Sequence, residues 1–311
     1  MKHKNILILL FIGLSFLFNS PMYAEGNFIE SNIFNSLKEG DKAAVLMVHF
    51  GTTNDDTRIR TIEAINKKMA EAFPGTEVRE AWTSRIVIYR LKKRGIQKQN
   101  PDEALKQLKA EGYTHIIIQS SNIIEGIEME SLRKDIALWE KEFKEIRIGT
   151  PLLYSPADYE AVIDAVTKKG AKEGATLLVG HGTYTPATAQ YAMTDYMLKA
   201  KGFNNFIVGT IEGYPSFDDA AIQLKKSGVK KVMLMPFMFV AGEHAKNDIA
   251  DDWKSQLEEQ GYQVTVLMEG LGENPDIQNI FIEHARFAAN HKYLEITAKK
   301  KEYAKGKEKY E

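Results

Sequence analysis

The sequence predicts an α/β protein whose two similar lobes, each a small doubly wound parallel sheet, face one another across a central cleft. Three observations predict this architecture. Short apolar runs typical of buried parallel strands alternate with helical patterns along most of the 311 residues. The second half of the chain repeats turns of the first half. The stretch LLVGHGT places His181 between Gly180 and Gly182 at the end of an apolar run, where open α/β sheets bind ligands.

The first half of the chain alternates strand and helix patterns, as a parallel sheet requires. Apolar runs predict strands at residues 43–48, 77–82, 115–119 and 146–148. Helical spacing predicts helices at residues 57–72, 85–94, 101–111 and 129–143. In the first of these helices Ile62, Ile65 and Met69 fall on one face. Pro101 opens the third helix, because proline suits the first helical position.

The second half begins the same pattern again. Strands are predicted at residues 177–179, 206–209, 232–236 and 264–268. Helices are predicted at residues 158–168, 187–200, 217–227 and 277–289, with a further helix that ends at residue 260 after a loop over 237–244. The recurrence of strand, helix and strand predicts a second parallel sheet.

The two halves also share turn residues, which indicates a duplicated lobe. The segments LKAEGYTHIIIQSSNIIEGIE and LKKSGVKKVMLMPFMFVAGEH match at one constant offset, in the pairs Leu108 and Leu224, Gly112 and Gly228, Gly126 and Gly242, and Glu128 and His244. The tripeptide FGT that begins at Phe50 likewise stands opposite the HGT that begins at His181. The shared glycines are the informative members, because glycine marks backbone positions that need special dihedral angles.

Composition excludes several classes of function. The formal net charge of -1 leaves no basic surplus for binding nucleic acid. The chain has no cysteine, which excludes disulfides, thiolate metal sites and iron–sulfur clusters and leaves His, Asp and Glu as strong ligands. The sequence contains no P-loop, no GxGxxG after a strand and no GxSxG elbow, so nucleotide-dependent and serine-hydrolase functions lack their motifs.

Three strand ends of the second half present His181, Glu212 and His244 in turn. Neighbouring parallel strands lie about 5 Å apart, so groups just past their carboxyl ends can converge on one point. Two imidazoles and a carboxylate suit a borderline divalent ion such as cobalt, iron, nickel or zinc. The repeat places Glu128 at the matching strand end of the first half, facing the same cleft. Taken alone, Glu212 is also compatible with a helix cap or a surface charge.

The other histidines give weaker signals. His49 ends the first strand, and the sequence leaves open whether it faces the cleft or is a hydrogen-bonded core histidine. His115 begins a strand and is predicted to lie on the surface. His284 and His291 fall in or beyond the final helix, and His3 belongs to the N-terminal signal.

The predicted organisation has five parts: a signal peptide at residues 1–24, a lead-in at 25–42, an N-terminal α/β lobe at 43–155, a C-terminal α/β lobe with the metal site at 156–291, and a lysine- and glutamate-rich tail at 292–311. Lys2 and Lys4, then an apolar run, then Ala24 are typical of a secretory signal. An uncleaved anchor is the alternative, although the run is short for a membrane span. We expect an exported, periplasmic protein with no stable membrane span after cleavage.

Several segments resemble a known family of enzymes. The stretches FGTTNDDTR, AWTSRIVIYRLKKRGI, VGHGT, GTIEGYPSFDDAAIQLKKSGVKKVMLMPFMFVAGEHAKND and GLGENP are similar to those of the anaerobic cobalt chelatases, the ATP-independent class that inserts Co(II) into sirohydrochlorin on the way to cobalamin. The resemblance covers about residues 43–290. It implies that His181 and His244 bind the metal and remove protons, that Glu212 assists, and that Glu128 is the family's first-lobe glutamate.

The resemblance therefore implies a lyase that inserts a divalent metal ion, cobalt first and iron or nickel as alternatives, into a tetrapyrrole substrate. An apolar cleft would sandwich the macrocycle between Ile123, Ile124, Phe237, Met238 and Phe239. Imidazole suits this chemistry, because its unperturbed pKa of about 6.5 lets it act as a ligand or as a base near neutral pH.

This chain departs from the family's pattern at three places. The residues after the GHGT motif, 184–188, lack the further polar or histidine side chains that family members usually carry. Asn122 stands where a histidine often precedes the isoleucine pair, and His49 stands where a small residue is usual. The first two departures affect how the carboxylates of a tetrapyrrole are held or which metal is preferred. The third could supply an axial ligand from the first lobe.

An exported protein conflicts with cobalamin synthesis, which takes place in the cytoplasm. The alternative function is therefore an extracytoplasmic protein that binds or delivers haem or metal, or that removes iron from haem, with haem held through His49 or His181. The sequence leaves a homo-oligomer open.

Overall fold

A computed structural model describes residues 27–242 and 245–304, without the side chains of residues 302 and 303. The predicted signal peptide, with His3, and the predicted ligand His244 lie outside the described residues. Within the described ranges, no helix is long and apolar enough to cross a membrane.

Two parallel four-stranded sheets of the same topology form the molecule, which confirms the predicted α/β fold of two similar lobes. The strands are, in chain order, β1 (Phe28–Glu30), β2 (Ala43–His49), β3 (Glu77–Trp82), β4 (His115–Ser120), β5 (Glu145–Ile148), β6 (Ala175–Gly182), β7 (Phe206–Glu212), β8 (Lys231–Pro236), β9 (Gln263–Val266) and β10 (His291–Tyr293). The first sheet has the order β3-β2-β4-β5 and the second the order β7-β6-β8-β9. In each sheet the first strand of the lobe lies between the second and the third.

Helices connect the strands. They are α1 (Asp55–Arg58), α2 (Ala64–Ala72), α3 (Arg85–Lys93), α4 (Pro101–Ala110), α5 (Ile127–Ala137), α6 (Pro156–Thr167), α7 (Ala189–Ala200), α8 (Phe217–Ser227), α9 (Lys254–Glu259), α10 (Pro275–Asn290) and α11 (Ile296–Ala304). Short 3-10 turns lie at Ile33–Ser36, Pro186–Thr188 and Leu271–Glu273, and π-helical stretches at Ile59–Glu63 and Ala245–Trp253. The backbone confirms the repeat, because Gly51 and Gly182, at equivalent strand ends, have φ of 102° and 85°.

Three predicted helices differ from the observed ones. The helix predicted to end at residue 260 is π-helical over Ala245–Trp253 and α-helical only in α9. The helix predicted at 57–72 is interrupted by the π-helical stretch between α1 and α2. The helix predicted at 129–143 begins two residues earlier, after Gly126 as its N-cap, and ends at Ala137. The predicted helix extended too far along the chain because Trp139 and Phe143 continue its apolar pattern without belonging to the helix. They lie in turns and pack against the core of the first lobe.

One continuous core joins the two sheets. Val45 of β2 and Leu178 of β6 point into the same buried cluster, whereas Leu46 and Leu177 point into separate clusters on the outer faces. Both faces of the central strands are therefore covered, which explains their uninterrupted apolar sequence. Because the lobes share an inner core, the cleft between them has a packed floor.

The two ends of the described chain meet on the first lobe. Strand β1, from the predicted lead-in, pairs antiparallel with β10, which follows α10. Helix α10 packs against β4, β5 and α2, although its sequence follows the second sheet. The buried guanidinium of Arg147 in β5 donates hydrogen bonds to the carbonyls of Ser31, Ala288 and Ala289. The pattern of the sequence gave no sign of these contacts, and the predicted domain boundaries stay predictions.

Two histidines outside the cleft are also buried. His115 was predicted to lie on the surface, and this prediction is wrong. Its residue is only 3% exposed, because β2 and β5 pair with β4 on both sides. Burial lowers the pKa of His115. His284 in α10 is also buried, and its Nε2 lies 2.9 Å from Oδ1 of Asp158 in α6.

Candidate functional site

A cleft of about 550 Å³ opens between the carboxyl ends of the two sheets. This size lies in the range typical of small-molecule sites, and its position is the one that open α/β sheets use for ligands. Three strands of each sheet contribute residues at or just beyond their carboxyl ends. The lining includes residues 49–53, 84, 86–87 and 90, 121–124 and 126–128 from the first lobe, and 181–184, 191, 212, 237–240, 242 and 247 from the second.

His181 is the half-buried cleft residue of β6, and its two glycine neighbours serve different purposes. A side chain at Gly180 would collide with the ring of Tyr191, which packs over the strand. Gly182 has a left-handed φ of 85°, and a side chain there would collide with the carbonyl oxygen of Glu212. In the structure, β6 continues to Gly182 and only this glycine adopts the special conformation.

Glu212 is the exposed last residue of β7 and lines the cleft beside His181. Its position follows from the register of the sheet, in which Gly182 of β6 stands opposite Glu212 of β7. Two of the predicted metal ligands thus come from adjacent strand ends. No group of three or more His, Asp or Glu side chains that could hold a metal ion occurs within the described residues. The third predicted ligand, His244, lies outside them, and the full ligand set stays a prediction.

Glu128 approaches the cleft from the first lobe, in the first turn of α5. Its carboxylate is exposed and accepts a hydrogen bond of 3.1 Å from the hydroxyl of Thr83, which follows β3. The loop before α5 is tied to the second lobe, because the amide of Glu125 donates a 2.8 Å hydrogen bond to the side chain of Gln190. The structure therefore places Glu128 and His181 on opposite walls of one cleft, and their roles stay predictions.

The predicted apolar side chains all line the cleft, namely Ile123, Ile124, Phe237, Met238 and Phe239. Phe237 is completely buried and forms part of the floor. Tyr191 lies beside it, with ring centroids 6.3 Å apart, and burial raises the pKa of Tyr191 to about 12. Asn122 and Tyr184, which depart from the resembled family, also line the cleft. Its inner surface is thus largely apolar, with polar groups at the two strand-end walls.

His49 is both a cleft residue and a hydrogen-bonded core histidine. Its residue is 1% exposed, and its ring stacks on Phe239 at 5.9 Å between centroids. Nδ1 lies 2.9 Å from the hydroxyl of Ser121, and Nε2 lies 2.9 Å from Oδ1 of Asn66. Burial lowers the pKa of His49, and the charge of Glu80 opposes this shift. Both ring nitrogens are occupied, so a metal ligand role would require one bond to break.

Sequence reasoning missed the polar partners of His49 and one cation of the cleft. Ser121 and Asn66 come from separate elements, so no local motif marks them. Arg90 lies on α3, which the sequence showed to be basic, but only the tertiary structure places this guanidinium on the cleft. No side chain among the described residues forms an ion pair or hydrogen bond with Arg90.

Comparison with known proteins gives a consistent result. A family profile described as cobalt chelatase (CbiK) matches residues 43–290. A sirohydrochlorin cobaltochelatase of Salmonella typhimurium is 37% identical over 257 residues, which cover 80% of this chain and 97% of that protein. The sirohydrochlorin cobaltochelatase CbiKC of Nitratidesulfovibrio vulgaris is 31% identical over 259 residues, which cover 80% of this chain and 91% of that protein.

Solved structures of low sequence identity share the fold. SirB from Bacillus subtilis, solved with Fe3+, superimposes with a TM-score of 0.59 at 16% identity, over 80% of this chain and 96% of that chain. CbiX, described as the terminal enzyme for biosynthesis of siroheme in denitrifying bacteria, gives a TM-score of 0.52 at 21% identity, over 79% of this chain and 99% of that chain.

Proposed function

This chain belongs to the cobalt chelatase (CbiK) family, and on that premise we propose that it inserts Co(II) into sirohydrochlorin or a closely related tetrapyrrole without ATP. The single observation that carries the proposal is the cleft itself. His181 and Glu212 lie on adjacent strand ends of its second-lobe wall, and Glu128 faces them from the first lobe. The metal ion is a substrate of the reaction, as is the macrocycle.

Metal insertion removes two pyrrole N–H protons and exchanges the ligands of the metal for ring nitrogens. A neutral imidazole can bind a borderline divalent ion through its lone pair, and a carboxylate can complete the set. We propose that His181, Glu212 and His244 hold the incoming ion and release it to the ring. In this scheme His181 or His244 acts as a base once it has released the ion, and Glu128 orients the macrocycle or accepts a proton. The flat macrocycle would lie against the apolar cleft surface, which excludes water from the reacting nitrogens.

The direct test is an insertion assay with the purified protein. Cobalt, iron and nickel ions are each offered with sirohydrochlorin and with protoporphyrin, and the absorption spectrum of the macrocycle is followed. We expect Co(II) with sirohydrochlorin to react fastest. If no combination reacts faster than the protein-free mixture, the proposed function is wrong.

No observation favours the haem-binding alternative. Of the two haem ligands suggested for it, His49 and His181, His49 has both ring nitrogens hydrogen-bonded to protein groups. We therefore expect freshly purified protein to show no stoichiometric Soret band in its absorption spectrum.

Arg90 is expected to hold a carboxylate of the tetrapyrrole at the rim of the cleft. An exposed charge pair stabilises binding by up to about 1 kcal/mol. Replacing Arg90 by alanine should therefore raise KM for sirohydrochlorin about fivefold and leave kcat nearly unchanged. The matched control is Arg85→Ala, on the same helix but outside the cleft lining. Equal KM values for the two variants would contradict this role.

We also propose that the protein is exported and that residues 1–24 are removed. When the full chain is expressed in a Gram-negative host, we expect the periplasmic fraction to contain a protein that starts at Glu25. Intact-mass spectrometry distinguishes the cleaved protein from the uncleaved one. A mass that retains Met1, in protein recovered from the membrane, would indicate an anchor instead.

A further inference from the structure

We propose that Ser121 and His49 form a proton-accepting pair on the first-lobe wall of the cleft, which takes up one of the two pyrrole protons during metal insertion. The inference deepens the proposed function and rests on it. Ser121 and His49 both line the cleft. They belong to neighbouring strand ends of the first sheet, across from the wall that carries His181.

A separate acceptor is chemically useful because an imidazole nitrogen that binds a metal has no lone pair left for a proton. A histidine of the second-lobe wall cannot hold the ion and remove a proton through the same nitrogen. A pair on the opposite wall can accept a proton while the metal is still bound. His49 is suited to this task because its ring is fixed by three neighbours, Ser121, Asn66 and Phe239.

The hydrogen bonds fix which nitrogen of His49 carries its proton. The carboxylate of Glu80 can only accept, so the side-chain amide of Asn66 must turn its NH2 group toward it, at 2.8 Å. The oxygen of Asn66 then faces Nε2 of His49, at 2.9 Å, and Nε2 must donate. In the neutral ring, Nδ1 is therefore the acceptor, and the hydroxyl of Ser121 donates to it at 2.9 Å.

The charges behind His49 favour proton uptake. Two charged groups face it, the carboxylate of Glu80 and the ammonium of Lys98, which form an ion pair. Lys98 also lies over the ring of Trp82, 4.8 Å from its centroid. Burial raises the pKa of the Glu80 carboxyl, but the hydrogen bond from Lys98 and the neighbouring charges together outweigh this effect and leave the pKa below its usual value. His49 is thus neutral before the reaction. Only the side-chain amide of Asn66 separates the imidazolium that forms from the carboxylate of Glu80.

The step conserves atoms and charge. The pyrrole N–H bond breaks, its electron pair stays on the ring nitrogen to bind the metal, and the proton joins Oγ of Ser121. The original hydroxyl proton of Ser121 moves to Nδ1 of His49. His49 becomes an imidazolium that still donates through Nε2 to Asn66 and returns its proton to solvent after the metallated ring leaves. No oxidant, reductant or further reactant is required.

The test compares Ser121→Ala and His49→Gln with the unaltered protein in single-turnover insertion of Co(II) into sirohydrochlorin. We expect each variant to slow the insertion step about 100-fold, the usual contribution of a positioned acid–base group, with KM within about twofold. Ser121→Ala removes only a hydroxyl, so it should fold normally. His115→Gln is the control, because it alters another buried histidine of the same sheet at the opposite strand end and should keep the full rate.

A second measurement does not depend on turnover. Nitrogen-15 NMR of the imidazoles should show His49 neutral with its proton on Nε2.

Variants of Glu80 test the role of the facing carboxylate. Glu80→Gln, which removes it, should lower the pKa of His49 further and slow insertion without changing KM. Glu80→Asp should restore part of the pKa and part of the insertion rate. A His49 proton on Nδ1, or full insertion rates in Ser121→Ala and His49→Gln, would overturn the inference while the proposed function stands. If the unaltered protein inserts no metal, both fail.

Discussion

Replacing His181 by alanine should lower kcat/KM for metal insertion by at least about 100-fold. His181 is the cleft residue of β6, beside Glu212 on the neighbouring strand end, and we propose that it delivers the ion. Loss of a group that acts as ligand and base costs on the order of 10²–10⁴ in rate. Calorimetry with Co(II) alone, in the absence of tetrapyrrole, should show a parallel loss of affinity. The double variant His181→Ala with His244→Ala should have no measurable activity.

His291→Ala is the control for this experiment, since His291 lies in β10, outside the cleft lining. It should bind and insert cobalt as the unaltered protein does. Unchanged insertion by the His181 and His244 double variant would exclude the proposed metal site. A lost rate with unchanged affinity for Co(II) would instead limit His181 to proton transfer.

Replacing Arg147 by alanine should lower the free energy of unfolding by about 3 kcal/mol. Arg147 is 5% exposed, and its guanidinium donates hydrogen bonds to carbonyls of Ser31, Ala288 and Ala289, so one side chain links the lead-in, the end of α10 and β5. It also lies 2.9 Å from the carboxylate of Glu145. Breaking a buried pair of this kind typically costs about 3–5 kcal/mol, because the partner groups stay buried without a donor. Urea unfolding measures the change.

Arg286→Ala serves as the comparison for Arg147→Ala. Arg286 also pairs with a glutamate, Glu283, but both side chains are about half exposed or more. Its loss should change the free energy of unfolding by less than about 0.5 kcal/mol. Equal effects of the two substitutions would show that the contacts of Arg147 contribute little to the stability of the fold.

The repeat could be predicted because glycine positions are local. Gly51 and Gly182 were matched from the sequence, and both have left-handed φ values in the structure. The apolar strands were equally visible, since their two faces pack against two cores and leave no polar alternation. Element ends were less predictable. The apolar pattern continued past Ala137, where Trp139 and Phe143 serve packing in turns and do not extend the helix.

The candidate site could likewise be predicted only in part from the sequence. His181, Glu212 and Glu128 could be placed on one cleft because each lies at or beyond the carboxyl end of a strand, and parallel strands end at a common edge. Ser121, Asn66 and Glu80 could not be connected to His49, because their hydrogen bonds join residues from two strands, a helix and the loop after β4. Arg90 was visible as one of several cations, and only the docking of α3 distinguishes it from Arg85.

The sequence by itself determined the α/β class, the duplicated lobes, the family and the three cleft residues at or beyond strand ends. These features depend on periodicity and on residues near one another in the chain. Tertiary structure alone decided that α10 packs on the first lobe, that the lead-in pairs with β10, and that His49 sits in a buried polar chain. Such contacts join segments far apart in sequence, so their geometry is set by how the elements pack and leaves no local pattern.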